Sequence, residues 1–380
     1  MDTKKNKKLE ENETAKVVLV ENNQSEGGMA VFKKINVTTQ AVNRRHLPQW
    51  ALAWMVLVPA LIFLFVFMVY PILNTFVISF FNNFRWVPNA GSFSISNIIR
   101  AFAVDGTSDP SGEPITNALP EFGFGNFIAI FQDRFFLRAL GNTAIIVIVS
   151  VPLTIIIALL LSGLLNSIKV LRGFFQTIFF LPYVTNTLAL GIVFNALFNY
   201  PSGIINDVFG TVVGWFRQDF DPINWISSQN AEKWASGIVI IIYGIWNGLA
   251  FKILVFMGGL ATIDKQYYDA AKVDGAKGGT IFRRITLPLL SPQILYITIT
   301  SFIGAFKAFT GVRAVFANPD IFYFGGPDKR QWITVVGWVY LQMFPGGSVG
   351  QAAAGSVTLL VIILIITAIQ FGVSKTRVHY

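Results

Sequence analysis

Cysteine is absent from this sequence of 380 residues, and histidine occurs only twice, as His46 and His379 near the two ends. Without cysteine the chain forms neither a disulfide framework nor a thiolate site. Histidines that lie outside every apolar segment argue against a histidine-based metal centre and against a proton relay inside a membrane. Charged residues make up only 13% of the chain, whereas a soluble domain carries about a quarter. These shortages favour the membrane class of proteins.

The sequence is instead rich in long apolar runs, and 53% of its residues are hydrophobic. A helix needs about 20 mostly apolar residues to cross the hydrocarbon core of a bilayer. Six segments meet this requirement, so the sequence predicts an all-α integral membrane protein with six transmembrane helices. The predicted spans are residues 51–69, 139–165, 174–198, 235–260, 289–309 and 352–373.

Lysine and arginine are distributed unevenly, with most of them in the N-terminal tail and in the loops on the same side of the membrane. The positive-inside rule therefore predicts a multi-pass membrane protein with both termini in the cytoplasm. This placement accounts for the net charge of +9 without a nucleic-acid partner. The predicted regions are a disordered basic cytoplasmic tail at 1–48, a first transmembrane helix at 49–81, an extracytoplasmic loop at 82–137, a five-helix core at 138–375 and a cytoplasmic tail at 376–380.

The loop at 262–290 contains a polar run, YYDAAKVDGAKGGTIFRRITLPLL, between two apolar spans. Asp264 suits the N-cap of a short helix, and Gly275 suits the left-handed position that ends one. A second helical stretch is predicted from Gly278 or Gly279, and Pro288 marks the start of the fifth span. The residues alone allow two interpretations, a hairpin that only connects two spans and a helix–turn–helix that docks into a partner.

The spacing in this loop resembles the EAA loop of the membrane subunits of binding-protein-dependent ABC importers. That pattern is Glu-Ala-Ala, three residues, Gly, nine residues, Ile, one residue and Leu-Pro. The departure is an aspartate for the glutamate, which keeps the charge. The segments LRGFFQTIFFLPYV, IGAFKAF and FGGPDKR are similar to other parts of the maltose and multiple-sugar branch. The residues that match the loop are Asp269, Ala270, Ala271, Gly275, Ile285, Leu287 and Pro288.

The resemblance implies the type I ABC importer permease fold and an ATP-driven sugar importer of the bacterial inner membrane. In this family the loop docks into a cytoplasmic ATPase, so the matching residues are the expected coupling residues. The implied partners are a second homologous permease subunit, two ATPase subunits that carry ATP and Mg, an extracytoplasmic solute-binding protein and a carbohydrate solute. No catalytic residue, cofactor or metal is expected in this chain, whose GAKGGT run lacks the order of a phosphate-binding loop.

The resemblance also places the solute path on the two spans that flank the loop. Candidate positions on each span repeat at three- and four-residue steps, so they are predicted to share a helix face. Asn247 can bond to sugar hydroxyls and Phe251 can stack on a sugar ring, although small residues also serve close helix packing. The candidate path residues are Gly244, Asn247, Gly248 and Phe251 on the fourth span, and Ser301, Gly304, Ala305 and Ala308 on the fifth.

Lys252 and Lys307 lie in or at the rim of the same two spans. A lysine in a span snorkels to the interface, pairs with a charge of another subunit or counters an anionic solute. The first two readings are favoured, so a neutral oligosaccharide is preferred over an anionic solute such as a uronate oligosaccharide or a glycerol phosphate derivative, and both alternatives stay open. An ion-coupled secondary transporter would need an acidic or histidine side chain in a span, and none of the six spans has one.

Overall fold

The computed structural model describes residues 48–82, 121–168, 172–215, 220–226, 231–318, 320, 322–326, 328–344 and 348–377. The chain divides into two compact units, Met1–Pro59 and Ala60–Tyr380. The N-terminal tail that the sequence predicts to be disordered, and most of the predicted loop at 82–137, lie outside these described residues.

The first predicted span is part of a longer apolar helix. α1 (Gln49–Leu64) continues through a π turn (Phe65–Val69) into α2 (Tyr70–Ser79). Large apolar side chains along this helix, including Phe63 and Phe67, are exposed. Backbone groups in the interior of a helix bond mostly to one another, so such an apolar surface suits hydrocarbon.

The middle of the chain combines membrane-length helices with shorter ones. Asp133 precedes the longest of them, and its side chain accepts from the Phe135 amide to cap the helix. In chain order the elements are β1 (Phe81–Asn82), β2 (Glu121–Phe122), α3 (Gly125–Gln132), α4 (Arg134–Ser167), α5 (Arg172–Val184), α6 (Thr187–Leu197), α7 (Ile204–Gly214) and α8 (Lys233–Thr262). The two strands pair antiparallel.

The last third of the chain begins with short elements and ends with one long helix. These elements are α9 (Lys265–Val273), α10 (Gly278–Ile281), a second π turn (Phe282–Thr286), α11 (Leu287–Leu289), α12 (Ser291–Phe306), α13 (Thr310–Phe316), α14 (Val335–Met343) and α15 (Val349–Arg377).

The third predicted span, 174–198, is not one helix. It is divided into α5 and α6 at Thr185 and Asn186. The Asn186 side chain accepts from the Leu188 amide at 2.8 Å and caps α6. An asparagine favours this cap because its side chain replaces the missing carbonyl partner of a free amide. Counting apolar residues does not detect such a break.

Four helices in the described part of the chain are long and apolar enough to cross a bilayer, and a bent pair makes a fifth. The four are Ala53–Ser79, α4, α8 and Val349–Ser374 within α15. The bent pair joins Gly278–Leu289 to α12 at an angle of 66°. The predicted first, second, fourth, fifth and sixth spans each coincide with one of these helices, and the divided α5–α6 pair accounts for the third.

Three apolar clusters hold the helices together, and burial of apolar side chains at native packing density stabilises each contact. One joins α4, α6, α8 and α13 around Phe194, Tyr243 and Phe316. A second joins α3, α4, α14 and α15 around Phe136 and Trp338. The third joins α4, α8 and α12 around residues that include Phe256 and Ile297.

The long helices give the bundle two ends. The "loop end" is formed by the first turns of α4 and α8 and by residues 322–326 and 328–338, where the Trp332 indole donates to the Lys233 carbonyl at 3.1 Å. The "hairpin end" is formed by the last turns of α4 and α8 and by residues 264–290. With a rise of about 1.5 Å per residue, α8 separates the two ends by about 45 Å.

Candidate functional site

The hairpin at 264–290 begins at a capped helix, as the sequence predicts. Asp264 has extended backbone dihedrals, and its carboxylate accepts from the Gln266 amide at 3.0 Å. The same carboxylate accepts from the Gln266 side chain at 2.6 Å. Two bonds to one carboxylate fix the direction in which α9 leaves the end of α8.

Gly275 ends α9 in the predicted left-handed conformation, with φ of +73°. The Gly275 amide donates to the Lys272 carbonyl at 3.0 Å, and the Ala276 amide donates to the Ala271 carbonyl at 2.9 Å. This pair of bonds is the Schellman arrangement, which satisfies carbonyls that the helix end would otherwise leave free. The chain therefore reverses within a few residues at a defined angle.

The second half of the hairpin returns to the membrane through α10, the π turn and α11. Lys277 precedes α10, so the second helical stretch starts at Gly278, as predicted. Pro288 lies in the three-residue α11, and the fifth span itself starts after the bend, at Ser291. The Tyr268 hydroxyl lies 3.3 Å from the Thr286 hydroxyl and links the two halves of the hairpin. The sequence interpretation missed this link.

The candidate coupling residues lie mostly on the outside of the hairpin. Asp269 is exposed and forms an ion pair with Lys272 at 3.2 Å. Ala270 and Leu287 are exposed, whereas Ala271, Ile285 and Pro288 are half-buried. Apolar side chains next to the coupling residues are also exposed, among them Val273, which is 89% exposed. The hairpin thus combines a fixed backbone with an unpartnered, partly apolar surface.

On α8, two candidate path residues belong to a helix contact. A methyl group added to Gly248 would lie 3.4 Å from Thr154 on α4, and one added to Gly244 would lie 3.6 Å from Ser150. These are ordinary van der Waals distances, so the two glycines lie at the contact between α4 and α8, and a methyl group would still fit against α4.

Phe251 has an aromatic partner that the sequence did not reveal. Its ring stacks on that of Tyr183 on α5, with the ring centres 5.8 Å apart and the planes 21° apart. Tyr183 is more than half exposed and lies just before the break between α5 and α6. Asn247 is half-buried on the neighbouring turn of α8. Together the three side chains offer two ring faces and an amide, which suit a sugar.

The candidate path residues of the fifth span do not all share one helix face. Ser301, Gly304 and Ala305 lie on α12, but α12 ends at Phe306, so Ala308 lies beyond it. The Ala308 amide donates to the Ala305 carbonyl at 3.1 Å in the turn that ends the helix. Gly304 faces open space, whereas Ala305 and Ala308 pack into two different apolar clusters.

The two candidate lysines have opposite environments. Lys252 is only 8% exposed, and its ammonium donates to the Gly248 carbonyl at 3.2 Å. Lys307 is exposed at the C-terminal cap of α12, in the break before α13. Among the described residues, the ion pairs are Arg138–Asp328, Lys272–Asp269 and Lys329–Asp320, so neither candidate lysine has a carboxylate partner there.

The loop end is held by buried polar bonds between residues far apart in the sequence. The Asn142 side-chain amide donates to the carbonyls of Gln331 and Ile333, both at 2.9 Å. The Trp338 indole donates to the Asp133 carboxylate at 2.7 Å. These residues were not identified from the sequence, because their partners lie on separate segments.

An open cavity of about 320 Å³ lies at the loop end, lined by the charged residues Arg138, Lys233 and Asp328 and by Gln331. Nearby, Asp320 accepts from the Phe322 amide and from Lys329, and these bonds hold the pKa of the Asp320 carboxyl below its ordinary value. In the described part of the chain, no three His, Asp or Glu residues are grouped as metal ligands.

Comparison with known proteins adds to this geometry. A family model for the inner membrane component of binding-protein-dependent transport systems matches residues 151–377. A lactose transport system permease protein of Rhizobium radiobacter is 28% identical over 334 residues, covering 85% of this chain and 94% of the relative. An arabinooligosaccharides transport system permease protein of Bacillus subtilis is 28% identical over 324 residues, covering 83% and 86%.

The fold has a counterpart among solved structures. The crystal structure of a bacterial ABC transporter involved in the import of the acidic polysaccharide alginate matches with a TM-score of 0.62 at 20% identity, covering 86% of this chain and 96% of that one. The all-α membrane architecture is therefore the type I ABC importer permease fold. Since the family model covers more than half of the chain, the chain belongs to the family of binding-protein-dependent transport system inner membrane components, the permease subunits of ABC importers.

Proposed function

We propose that this chain is the permease subunit of an ATP-driven oligosaccharide importer, and that the hairpin at 264–290 is where it receives force from an ATPase subunit. The hairpin supports the proposal most directly. Its backbone is held at Asp264 and at Gly275, the side chains of Tyr268 and Thr286 link its two halves, and its outer surface is exposed. A rigid element with an open surface transmits a displacement that a flexible loop would absorb.

The proposal includes a direction across the membrane. The hairpin end faces the cytoplasm, with both chain termini on that side, as the distribution of lysine and arginine favours. The loop end faces outward, toward a solute-binding protein. The complete importer also contains a second homologous permease and two ATPase subunits, which carry ATP and Mg.

The proposed solute is an oligosaccharide. Relatives at 28% identity are named for lactose and for arabinooligosaccharides. The exposed Tyr183, the Phe251 ring stacked on it and the half-buried Asn247 supply the chemistry that sugars require. We propose that these three, with Gly304 and Ser301 on α12, form this chain's part of the path. An anionic saccharide is the second candidate, and the buried Lys252 favours it.

Reconstitution tests the proposal. The chain is purified from its native membrane with its partners and placed in proteoliposomes with the solute-binding protein outside and ATP inside. We expect a second permease and an ATPase to copurify, and we expect oligosaccharide uptake only with hydrolysable ATP. Uptake by the chain alone, or uptake driven by an ion gradient without nucleotide, would reject the ABC importer mechanism and favour a secondary transporter.

A further inference from the structure

The ammonium group of Lys252 lies near the middle of the bundle. Its hydrogen-bond acceptor, Gly248, is midway between Lys233 and Thr262, the two ends of α8. In a helix the side chain leans toward the N-terminus. Here that direction leads away from Thr262, the nearer end of α8, and toward the centre of the membrane. Lys252 therefore does not snorkel, because a snorkelling lysine extends toward the nearer interface.

The space beside Gly248 accommodates this ammonium. A methyl group added to Gly248 would lie 2.8 Å from the Lys252 nitrogen, which is closer than such atoms approach one another. The glycine thus leaves room for the folded lysine as well as for the contact with Thr154. An alanine at this position would displace the ammonium, the movable end of a flexible side chain, rather than the helix.

No anion of this chain's spans balances the charge. None of the apolar helices α4, α5, α6, α8, α12 and α15 contains an aspartate or glutamate. Ser150 and Thr154 on α4 face this part of α8, and each donates its hydroxyl proton to a carbonyl of its own helix. A buried cation without a counter-charge is costly. Among the residues that the structure describes, no carboxylate forms an ion pair with Lys252.

The neighbours of Lys252 on α8 point to a source of a counter-charge for its ammonium. Gly248 and Phe251 flank Lys252 on the same part of α8, and the Phe251 ring is stacked on the exposed Tyr183. Lys252 directly follows Phe251 on α8, so a sugar seated on this aromatic pair lies close to the lysine along the helix. We propose that Lys252 selects for a saccharide that carries an anionic oxygen group, such as the carboxylate of a uronate. The inference rests on the proposed function, since it assigns the solute class at the same path.

The test changes the charge on the solute and on the protein separately. The complete importer complex is purified in detergent, and binding of trigalacturonate and of its methyl ester is measured by calorimetry without the solute-binding protein. The two saccharides differ in charge, whereas the sugar rings are the same. We expect the wild-type complex to bind the acid at least about tenfold more tightly than the ester, because a buried charge pair is strongly favourable relative to one unpaired partner.

Three variants make the test specific. Lys252→Met should lose the preference for the acid, and Gly248→Ala should lower it by displacing the ammonium while the charge is kept. Gly258→Ala is the matched control, since a methyl group there meets nothing within 4 Å, and it should keep the preference. Thermal unfolding of each complex shows whether the fold is intact.

Three outcomes would reject the proposal. Equal binding of the acid and the ester by the wild-type complex, or binding of neither, excludes selection for the charge. A preference that persists in Lys252→Met shows that a group other than Lys252 selects for the charge. ATP-driven uptake of a neutral oligosaccharide in these cases would leave the importer function standing, so failure of the two proposals can be distinguished.

Discussion

The Ala276 amide donates to the Ala271 carbonyl at 2.9 Å across the left-handed residue Gly275. This bond sets the angle between the two halves of the hairpin. Any residue with a β-carbon at Gly275 is strained by about 1–2 kcal/mol in the left-handed conformation. Proline cannot adopt a positive φ and also removes the amide that bonds to Lys272.

We therefore expect Gly275→Ala to lower ATP-driven uptake severalfold and Gly275→Pro to abolish it, while ATP hydrolysis continues at its basal rate. Uptake and hydrolysis are measured in the same proteoliposomes. Gly279→Ala is the control in the same hairpin, because its φ is not positive and a methyl group there meets nothing within 4 Å. Normal uptake in Gly275→Pro would contradict a coupling role.

Gly191 on α6 lies against Ala314 on α13. A methyl group at Gly191 would lie 2.2 Å from the Ala314 β-carbon and 2.9 Å from its carbonyl carbon, so the helices would have to separate. Overpacking of this kind costs about 1–3 kcal/mol. We expect Gly191→Ala to lower the melting temperature of the purified complex.

The matched control for this prediction is Gly141→Ala on α4, where a methyl group meets nothing within 4 Å. That change should be neutral or stabilising by up to about 1 kcal/mol, since alanine favours a helix over glycine. A similar loss of stability in both variants would show that the contact between Gly191 and Ala314 is not the cause.

Asn142, only 1% exposed, bonds to the carbonyls of Gln331 and Ile333. Asn142→Ala leaves the buried Ile333 carbonyl and the part-buried Gln331 carbonyl without this partner, at a cost of about 1–3 kcal/mol for the buried one. We expect faster hydrogen exchange in residues 328–338 and a lower melting temperature. The exposed Asn166 on the same helix provides the control, and Asn166→Ala should change neither quantity.

Asp320 gives a prediction about pH. The folded state holds the pKa of the Asp320 carboxyl below its ordinary value, so the ionised carboxylate stabilises the fold. This contribution to the free energy of unfolding is complete above the unfolded pKa near 3.8. It is lost as the pH falls from there through the lower pKa of the folded state. The difference in melting temperature between wild type and Asp320→Asn should stay constant from pH 8 to pH 5 and shrink only below about pH 4. A change between pH 7 and pH 5 would contradict the assignment.

The sequence predicted the hairpin well because its geometry depends on local chemistry. Asp264, Gly275 and Gly278 act on backbone groups within a few residues of themselves, so their positions fix caps and turns without tertiary information. The positions of the long helices were also predictable, since they follow from apolar length. The break at Asn186 had a local signal, the polar Thr-Asn-Thr run, which an apolar count averages away.

Features that join distant segments were not predictable. The partners of Asn142 and of Asp133 lie about 200 residues further along the chain, and nothing in either segment specifies the other. Helical periodicity placed Ala308 on the face of Ser301, but the helix ends at Phe306. The Lys252 side chain bends back toward Gly248 because the glycine leaves room for it beside α4. That room depends on how the helices pack and cannot be predicted from the sequence of α8 alone.

The α8 helix runs without a proline from Lys233, whose carbonyl is bonded to Trp332, to Thr262 just before Asp264. In the proposed importer, this one helix connects the outward-facing loop end to the hairpin that receives force from the ATPase. Thermodynamic linkage then works in both directions. If the solute-binding protein docks at the loop end as proposed and favours one tilt of α8, it must change the affinity of the ATPase for the hairpin by the same factor, so the cytoplasmic side would respond to a loaded binding protein outside.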